Sequence, residues 1–89
     1  MLTKDVTIIN LLGLHARAAA KFATLANNFS ADIKVVRGSR EVNGKSIMGL
    51  MMLAASKGTQ LTLIIDGDDE QQMQEAICTL INNRFEEDE

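Results

Sequence analysis

The sequence predicts an α+β fold, an open-faced two-layer sandwich with a four-stranded antiparallel sheet covered on one face by three helices. Short segments that alternate polar and apolar residues are separated by longer segments of helical periodicity, in the order βαββαβα. Helices that connect antiparallel strands pack on one face of the sheet, which gives two layers. The 89 residues suffice for one domain, 1–89, with a single modest core.

The first half of the chain predicts three strands and one helix. Residues 5–8 alternate polar and apolar positions, as a strand with one buried face does. A helix is predicted near residues 16–28 from apolar residues at three- and four-residue spacing, namely Ala19, Phe22, Ala23, Ala26 and Phe29. The alternation returns at residues 32–35, and Gly38 then favours a tight turn into a third strand at Arg40–Asn43.

The second half predicts two helices and one strand. Residues 46–56 are apolar nearly throughout and predict a short helix, which Ser46 caps and Gly58 ends. Residues 60–65 predict the fourth strand. Acidic residues at 66–70 provide N-cap candidates for the last helix, whose apolar stripe is Met73, Ala76, Ile77, Leu80 and Ile81. The charged residues 86–89 are expected to stay solvated and are assigned no function.

Composition excludes several classes of protein. No apolar run approaches the roughly 20 residues of a membrane span, and the first residues lack a secretory signal, so a cytoplasmic protein with no membrane partner is expected. With Cys78 as the only cysteine and a single histidine, neither a disulfide nor a zinc site is expected. The net charge of -3 and the few aromatic residues argue against nucleic acid as a partner. Proteins are the expected partners, without a cofactor.

The only histidine lies directly before the first predicted helix, in the segment Gly-Leu-His-Ala-Arg at residues 13–17. A helix N-terminus presents unpaired N–H groups and about half a positive charge, which favour a bound phosphoryl group and a neutral imidazole. Neutral imidazole is a nucleophile towards phosphorus, and Arg17 is suited to donate hydrogen bonds to phosphoryl oxygens. On these residues alone, a capping or packed surface role for His15 is the commoner interpretation.

Two alternative functions follow from the predicted order of elements, which several classes of small domain share. A small ligand-sensing α+β regulatory domain would need a pocket or a dimer interface, and binding of a metabolite would raise its melting temperature. An RNA-binding module would need a basic face and aromatic residues for base stacking, which this acidic chain lacks.

Residues 13–22 resemble the active-site motif of the HPr family, the histidine-containing phosphocarriers of the bacterial phosphoenolpyruvate-dependent phosphotransferase system. Residues 42–51 resemble the family's segment around a regulatory serine, and residues 55–59 resemble its continuation. The resemblance implies that enzyme I phosphorylates Nδ1 of His15, that enzyme IIA proteins remove the group, and that the chain is a monomeric carrier and not an enzyme. Residues 12–17 and the acidic end also resemble the nitrogen-related branch, so sugar uptake and regulation both remain open.

Further expectations concern the surface around His15. Ala18 stands where the family motif usually has proline, so the site is expected to be less rigid and to have altered rates or partner preference, with Ala18 among the docking positions. Ser46 is expected to cap its helix and, by the resemblance, to be phosphorylated by an HPr kinase/phosphorylase, which would inhibit transfer by adding negative charge. Four apolar side chains crowd that short helix, Ile47, Met48, Met51 and Met52, and about half of them are expected in the core. The others, Ile47, Met48 and Met51, are expected to form a docking surface.

Overall fold

The computed structural model describes residues 1–89 as a four-stranded antiparallel sheet with three helices. The elements are β1 (Leu2–Thr7), α1 (Ala16–Ala26), β2 (Asp32–Arg37), β3 (Arg40–Asn43), α2 (Ile47–Met52), β4 (Gln60–Asp66), α3 (Glu70–Asn82) and a short 3-10 helix (Arg84–Glu86). The predicted order βαββαβα is confirmed. The 3-10 helix at the end of the chain was not predicted.

The strands lie in the order β1-β4-β2-β3, and every neighbouring pair is antiparallel. On β2 and β4 alternate residues are buried against the helices, and the residues between them are exposed or half-buried. The buried set is Ile33, Val35, Leu61, Leu63 and Ile65. One face of the sheet therefore carries the core and the other remains open, as the alternation predicted.

Helix α1 packs closely against helices α2 and α3, and most of its buried residues are small. Its buried face consists of Ala18, Ala19, Phe22, Ala23 and Ala26. The helix ends at Ala26, two positions before the predicted end at residue 28, because Asn27 follows as the C-cap. The side-chain amide of Asn27 donates to the carbonyl oxygens of Ala23 at 2.8 Å and Lys45 at 3.1 Å. The first bond satisfies a carbonyl group in the last turn of α1, and the second ties the end of α1 to the loop before α2.

Helix α2 begins where it was predicted and ends earlier. The hydroxyl of Ser46 accepts a hydrogen bond from the Gly49 N–H at 3.0 Å, which confirms the predicted N-cap. The helix ends at Met52 and not at residue 56, and Ala54 has a positive φ of 51°. Two arginines donate to carbonyl groups at its end and just beyond it: Arg40 donates to Met52, and Arg37 donates to Leu53 and Ala54. The strands β2 and β3 thus terminate α2.

Replacing Ser46 with alanine is expected to lower the free energy of unfolding by about 1 kcal/mol, because the Gly49 N–H loses its partner at the start of a short helix. Urea denaturation of the unphosphorylated protein measures this change. Ser39→Ala, at an exposed turn position, is the control and is expected to change stability by less than about 0.5 kcal/mol. Equal effects of the two substitutions would contradict a capping role for Ser46.

Helix α3 begins after Asp69, which occupies the N-cap position without capping the helix through its side chain. Its carboxylate instead accepts the backbone N–H groups of Ser30 at 2.9 Å and Ala31 at 2.8 Å, which lie just before β2. The bond from Ser30 is the largest of the effects that hold the pKa of Asp69 below its ordinary value. An acid predicted to cap α3 therefore ties the start of α3 to the start of β2.

The end of the chain turns back across the molecule. Three consecutive residues, Arg84, Phe85 and Glu86, have positive φ angles of 57°, 54° and 65°. Phe85 is completely buried in the core, and its carbonyl oxygen accepts a hydrogen bond from Lys21 Nζ at 2.8 Å. The prediction of a solvated segment over residues 86–89 is therefore incomplete, because the residues after Phe85 are brought to the N-terminal end of α1.

Candidate functional site

His15 is the N-cap residue of α1, with extended backbone angles (φ -78°, ψ -178°) and no capping hydrogen bond from its side chain. The first backbone bond of the helix runs from the Ala19 N–H to the His15 carbonyl oxygen at 2.8 Å. The N–H groups of Ala16, Arg17 and Ala18 precede that bond and form the positive end of the helix. The imidazole, 28% exposed, therefore lies at the helix terminus that the sequence predicted.

The loop before His15 is held by Asn10, the only polar residue that is completely buried. Asn10 Nδ2 donates to the Gly13 carbonyl oxygen at 2.8 Å, and the Gly13 N–H donates to the Asn10 carbonyl oxygen at 3.2 Å. The next residue, Leu14, is buried, and its N–H donates to the Ala55 carbonyl oxygen at 2.8 Å. These bonds fix the backbone that leads directly into His15.

Glu87, near the end of the chain, also belongs to this site, although the sequence did not predict it. One carboxylate oxygen, Oε2, is hydrogen-bonded to His15 Nε2, and the other, Oε1, accepts from Asn10 Nδ2 at 2.9 Å. The Glu87 side chain is only 12% exposed, and the Leu11 N–H donates to the Glu89 carbonyl oxygen at 2.7 Å. No local pattern distinguishes Glu87 from the other acids of residues 86–89. The prediction that this run is merely solvated is wrong for Glu87.

The electrostatics of Glu87 favour its ionised form. Burial raises the pKa of this carboxyl group, whereas the hydrogen bonds from Asn10 and His15 lower it. The positive charge of Arg17 lowers the pKa of Glu87 further, and the net result lies below the ordinary value for glutamate. The ionised carboxylate therefore acts as the acceptor of its hydrogen bond with the imidazole.

Arg17 is exposed at the start of α1 and takes part in none of the ion pairs of the structure. Together with Lys21 and Glu87 it lines a shallow depression at this end of the helix. Its guanidinium group is therefore available for a ligand at the surface. Such a group binds phosphoryl oxygens through paired N–H donors.

The surface beside the site is more apolar than expected. Ile47, Met48, Met51 and Met52 are all exposed, and only Leu50 of helix α2 is buried. The expectation that about half of these four side chains would lie in the core is therefore wrong, since Met52 is exposed like the other three. The two buried residues that follow, Leu53 and Ala55, lie beyond the end of the helix.

The other expected docking residue, Ala18, is completely buried in the core. It therefore offers no surface to a partner, and the prediction that it is a docking residue is corrected. Any effect of Ala18 on the site has to act through the backbone of the first turn of α1. The loop before His15 supplies apolar surface that was not predicted, since Leu11 and Leu12 are both exposed.

These features define a class of protein. An imidazole at a helix N-terminus, with an unpaired arginine beside it and an exposed apolar surface on the neighbouring helix, is suited to accept a phosphoryl group from one protein and pass it to another. The fold and the site together are those of a small phosphoryl carrier.

Comparison with known proteins identifies the family. Residues 2–83 match the family model described as the phosphorylation site of the PTS HPr component. The phosphocarrier protein HPr of Cupriavidus necator is 56% identical over 89 residues, with 100% of each chain covered. The phosphocarrier protein NPr of Shewanella violacea is 44% identical over 86 residues, covering 97% of this chain and 94% of that protein.

Solved structures agree with these matches. An HPr from Thermoanaerobacter tengcongensis superposes with a TM-score of 0.95 at 42% identity, and all of both chains is covered. An HPr dimer from the same organism matches with a TM-score of 0.78 at 44% identity, covering 92% of this chain and 94% of that one.

The chain belongs to the HPr family of phosphocarrier proteins. Its function is the phosphocarrier function of HPr in the bacterial phosphotransferase system, and its partners are other proteins of that system. The predicted family and the predicted carrier function are both confirmed. None of the helices is long and apolar enough to cross a membrane.

Proposed function

We propose that residues 1–89 form a single HPr-like domain in which His15 carries the phosphoryl group. Enzyme I, charged from phosphoenolpyruvate, is the donor, and enzyme IIA proteins are the acceptors. The observation that supports this assignment most strongly is the position of His15, the only histidine, as the partly exposed N-cap of α1 beside the unpaired Arg17. A phosphoryl group on this ring lies within the field of the helix N-terminus, which favours anions.

Transfer uses the same groups in both directions. The Nδ1 lone pair of His15 forms the bond to phosphorus while the bond between phosphorus and the donor protein breaks, and that electron pair leaves with the donor. Arg17 donates hydrogen bonds to the phosphoryl oxygens and offsets the charge that develops on them during transfer. The chain supplies a nucleophile and charge stabilisation, so the rest of the catalytic machinery belongs to its partners.

The exposed residues of α2 provide the docking surface in this proposal. Ile47, Met48 and Met51 form an apolar patch, and flexible methionines adapt to several partners. Ser46 begins this helix, so phosphorylation there by an HPr kinase/phosphorylase would place roughly -1.5 to -2 charge at the edge of the patch. That charge repels a partner that already carries a phosphoryl group, which makes the modification inhibitory.

A second candidate role lies within the same family, because one relative is the nitrogen-related carrier NPr at 44% identity. The docking patch has to accept either the sugar-branch or the nitrogen-branch enzyme I. Comparing the initial rates of phosphorylation by the two enzymes distinguishes the branches. A rate at least tenfold higher with one of them assigns this chain to that branch.

His15→Ala is expected to abolish phosphoryl acceptance. The protein is incubated with enzyme I and phosphoenolpyruvate at neutral pH and then weighed intact by mass spectrometry. The native chain gains one acid-labile phosphoryl group, and His15→Ala gains none because it lacks the nucleophile. Ser39→Ala, an exposed change in the β2-β3 turn, gains the group at the native rate. A phosphoryl gain by folded His15→Ala, or none by the native chain with either enzyme I, would contradict the assignment.

A further inference from the structure

We propose that Glu87 is a positioning residue for His15: it holds the imidazole proton on Nε2 and thereby leaves the lone pair on Nδ1 for attack on phosphorus. This inference rests on the proposed role of His15 as the phosphoryl carrier. It concerns a residue that lies outside the residues 2–83 matched by the family model.

The geometry at Glu87 determines which ring nitrogen carries the proton. An ionised carboxylate only accepts hydrogen bonds, so the ring nitrogen bonded to its Oε2 has to be the donor. That nitrogen is Nε2, and a neutral imidazole has only one N–H group. The other nitrogen, Nδ1, then carries the lone pair and is the nucleophile.

Groups other than His15 fix the position of Glu87. Its Oε1 accepts from Asn10, which is completely buried and also donates to the Gly13 carbonyl oxygen. Along the chain, the buried Phe85 anchors one side of Glu87, and the bond from the Leu11 N–H to Glu89 anchors the other. A carboxylate held on both sides in this way orients the imidazole, as the acidic member of a catalytic triad orients its histidine.

The charge of Glu87 also suits both transfer steps. When phosphorus bonds to Nδ1, the proton stays on Nε2 and the ring becomes positively charged, which the adjacent carboxylate offsets. When the group moves on, the bond between nitrogen and phosphorus breaks, its electron pair returns to Nδ1, and a neutral imidazole is released. Glu87 therefore keeps the proton on the same atom throughout, and no additional proton donor is needed at either step.

Glu87→Gln distinguishes this role from one in which Glu87 only holds the end of the chain in place. Glutamine has the same size as glutamate but a single side-chain oxygen. Asn10 Nδ2 and His15 Nε2 each require an acceptor at this position. If the glutamine oxygen pairs with Asn10, its NH2 group faces Nε2, which then has to accept, and the proton moves to Nδ1. Asp88→Asn removes the same charge from an exposed neighbour and is the matched control.

The experiment reads the tautomer of His15 directly. Two-bond correlations between ring protons and ¹⁵N nuclei are recorded on the unphosphorylated native chain and both variants at alkaline pH, where imidazole is neutral. The native chain and Asp88→Asn are expected to show the Nε2–H tautomer, and Glu87→Gln is expected to gain the Nδ1–H tautomer. The rate of phosphorylation by enzyme I is expected to fall about tenfold or more in Glu87→Gln alone, mainly in kcat.

Three results would overturn the proposal: a native Nδ1–H tautomer, the native tautomer in Glu87→Gln, or a changed tautomer with an unchanged rate. The tautomer measurement requires no phosphoryl transfer, so it remains interpretable if His15 proves not to be the carrier residue. Conversely, failure of Glu87 to position the ring leaves the outcome of the His15→Ala experiment unaffected.

Discussion

Replacement of Phe85 by alanine is expected to lower the free energy of unfolding by about 3–5 kcal/mol, although the residue lies near the end of the chain. Chain ends are usually poorly ordered unless contacts hold them, and the burial of Phe85 is the main apolar contact that holds this one. Its ring is completely buried in the core cluster that also contains Phe22 and Ile81. Truncation to alanine removes that burial and leaves a cavity that its neighbours fill only in part.

Urea denaturation measures this loss, and Phe29→Ala provides the comparison within the chain. Phe29 is only partly buried against the same core, so its truncation is expected to cost clearly less. Phe85→Leu keeps most of the volume and is expected to retain most of the stability. A loss below about 1 kcal/mol for Phe85→Ala would mean that the end of the chain does not pack as the structure shows.

The same substitution connects the core to the site. Glu87 follows Phe85 by two positions, so loosening the ring frees the carboxylate from His15. Phe85→Ala is therefore expected to shift the His15 tautomer in the same direction as Glu87→Gln while also lowering stability, whereas Glu87→Gln acts on the site alone. This difference distinguishes the structural role of Phe85 from the positioning role of Glu87.

Strands β2, β3 and β4 and the starts of the helices were predictable because they depend on local patterns, whereas β1 begins at Leu2, before the predicted residues 5–8. Alternation defined β2 and β4, and the chemistry of Ser46 marked the start of α2. The end of α2 was not predictable, because two arginines of the neighbouring hairpin take its last carbonyl groups. Those contacts depend on tertiary structure, and the local sequence gives no sign of them.

In the candidate site, too, the residues in local motifs were predictable and the residue brought in by tertiary structure was not. His15, Arg17 and Ser46 lie in motifs that the sequence displays, and the structure places two of them at helix N-termini. Glu87 was missed because its contact with His15 joins residues 72 positions apart. The turn that brings it there uses positive φ angles at three residues that are not glycine, and no residue preference signals such a turn. A charged end is by composition a solvated end, and here the burial of Phe85 and the hydrogen bonds of Glu87 and Glu89 override that tendency.

The second large effect is expected at Gly13, where alanine should lower the free energy of unfolding by about 2–5 kcal/mol. Gly13 has a φ of +70°, and a Cβ atom there would lie 2.5 Å from the Ala55 carbonyl oxygen and 2.8 Å from Ser56 Cα. Both are backbone atoms, so no side-chain rotation relieves the overlap. The left-handed backbone adds about 1–2 kcal/mol of strain for any residue with a Cβ atom.

Gly38→Ala measures the cost of a left-handed backbone without a steric overlap. Gly38 has a φ of +60°, close to that of Gly13, but a Cβ atom there meets nothing within 4 Å. Substitution of Gly38 is therefore expected to lower the free energy of unfolding by about 1–2 kcal/mol. The additional loss in Gly13→Ala measures the overlap of the Cβ atom with the backbone of Ala55 and Ser56. Because the displaced loop carries Asn10 and leads into His15, only Gly13→Ala should also slow phosphorylation by enzyme I. Equal losses of stability at the two glycines would show that the loop moves away from Ala55 without cost, and His15 would then depend on Glu87 and the helix terminus for its position.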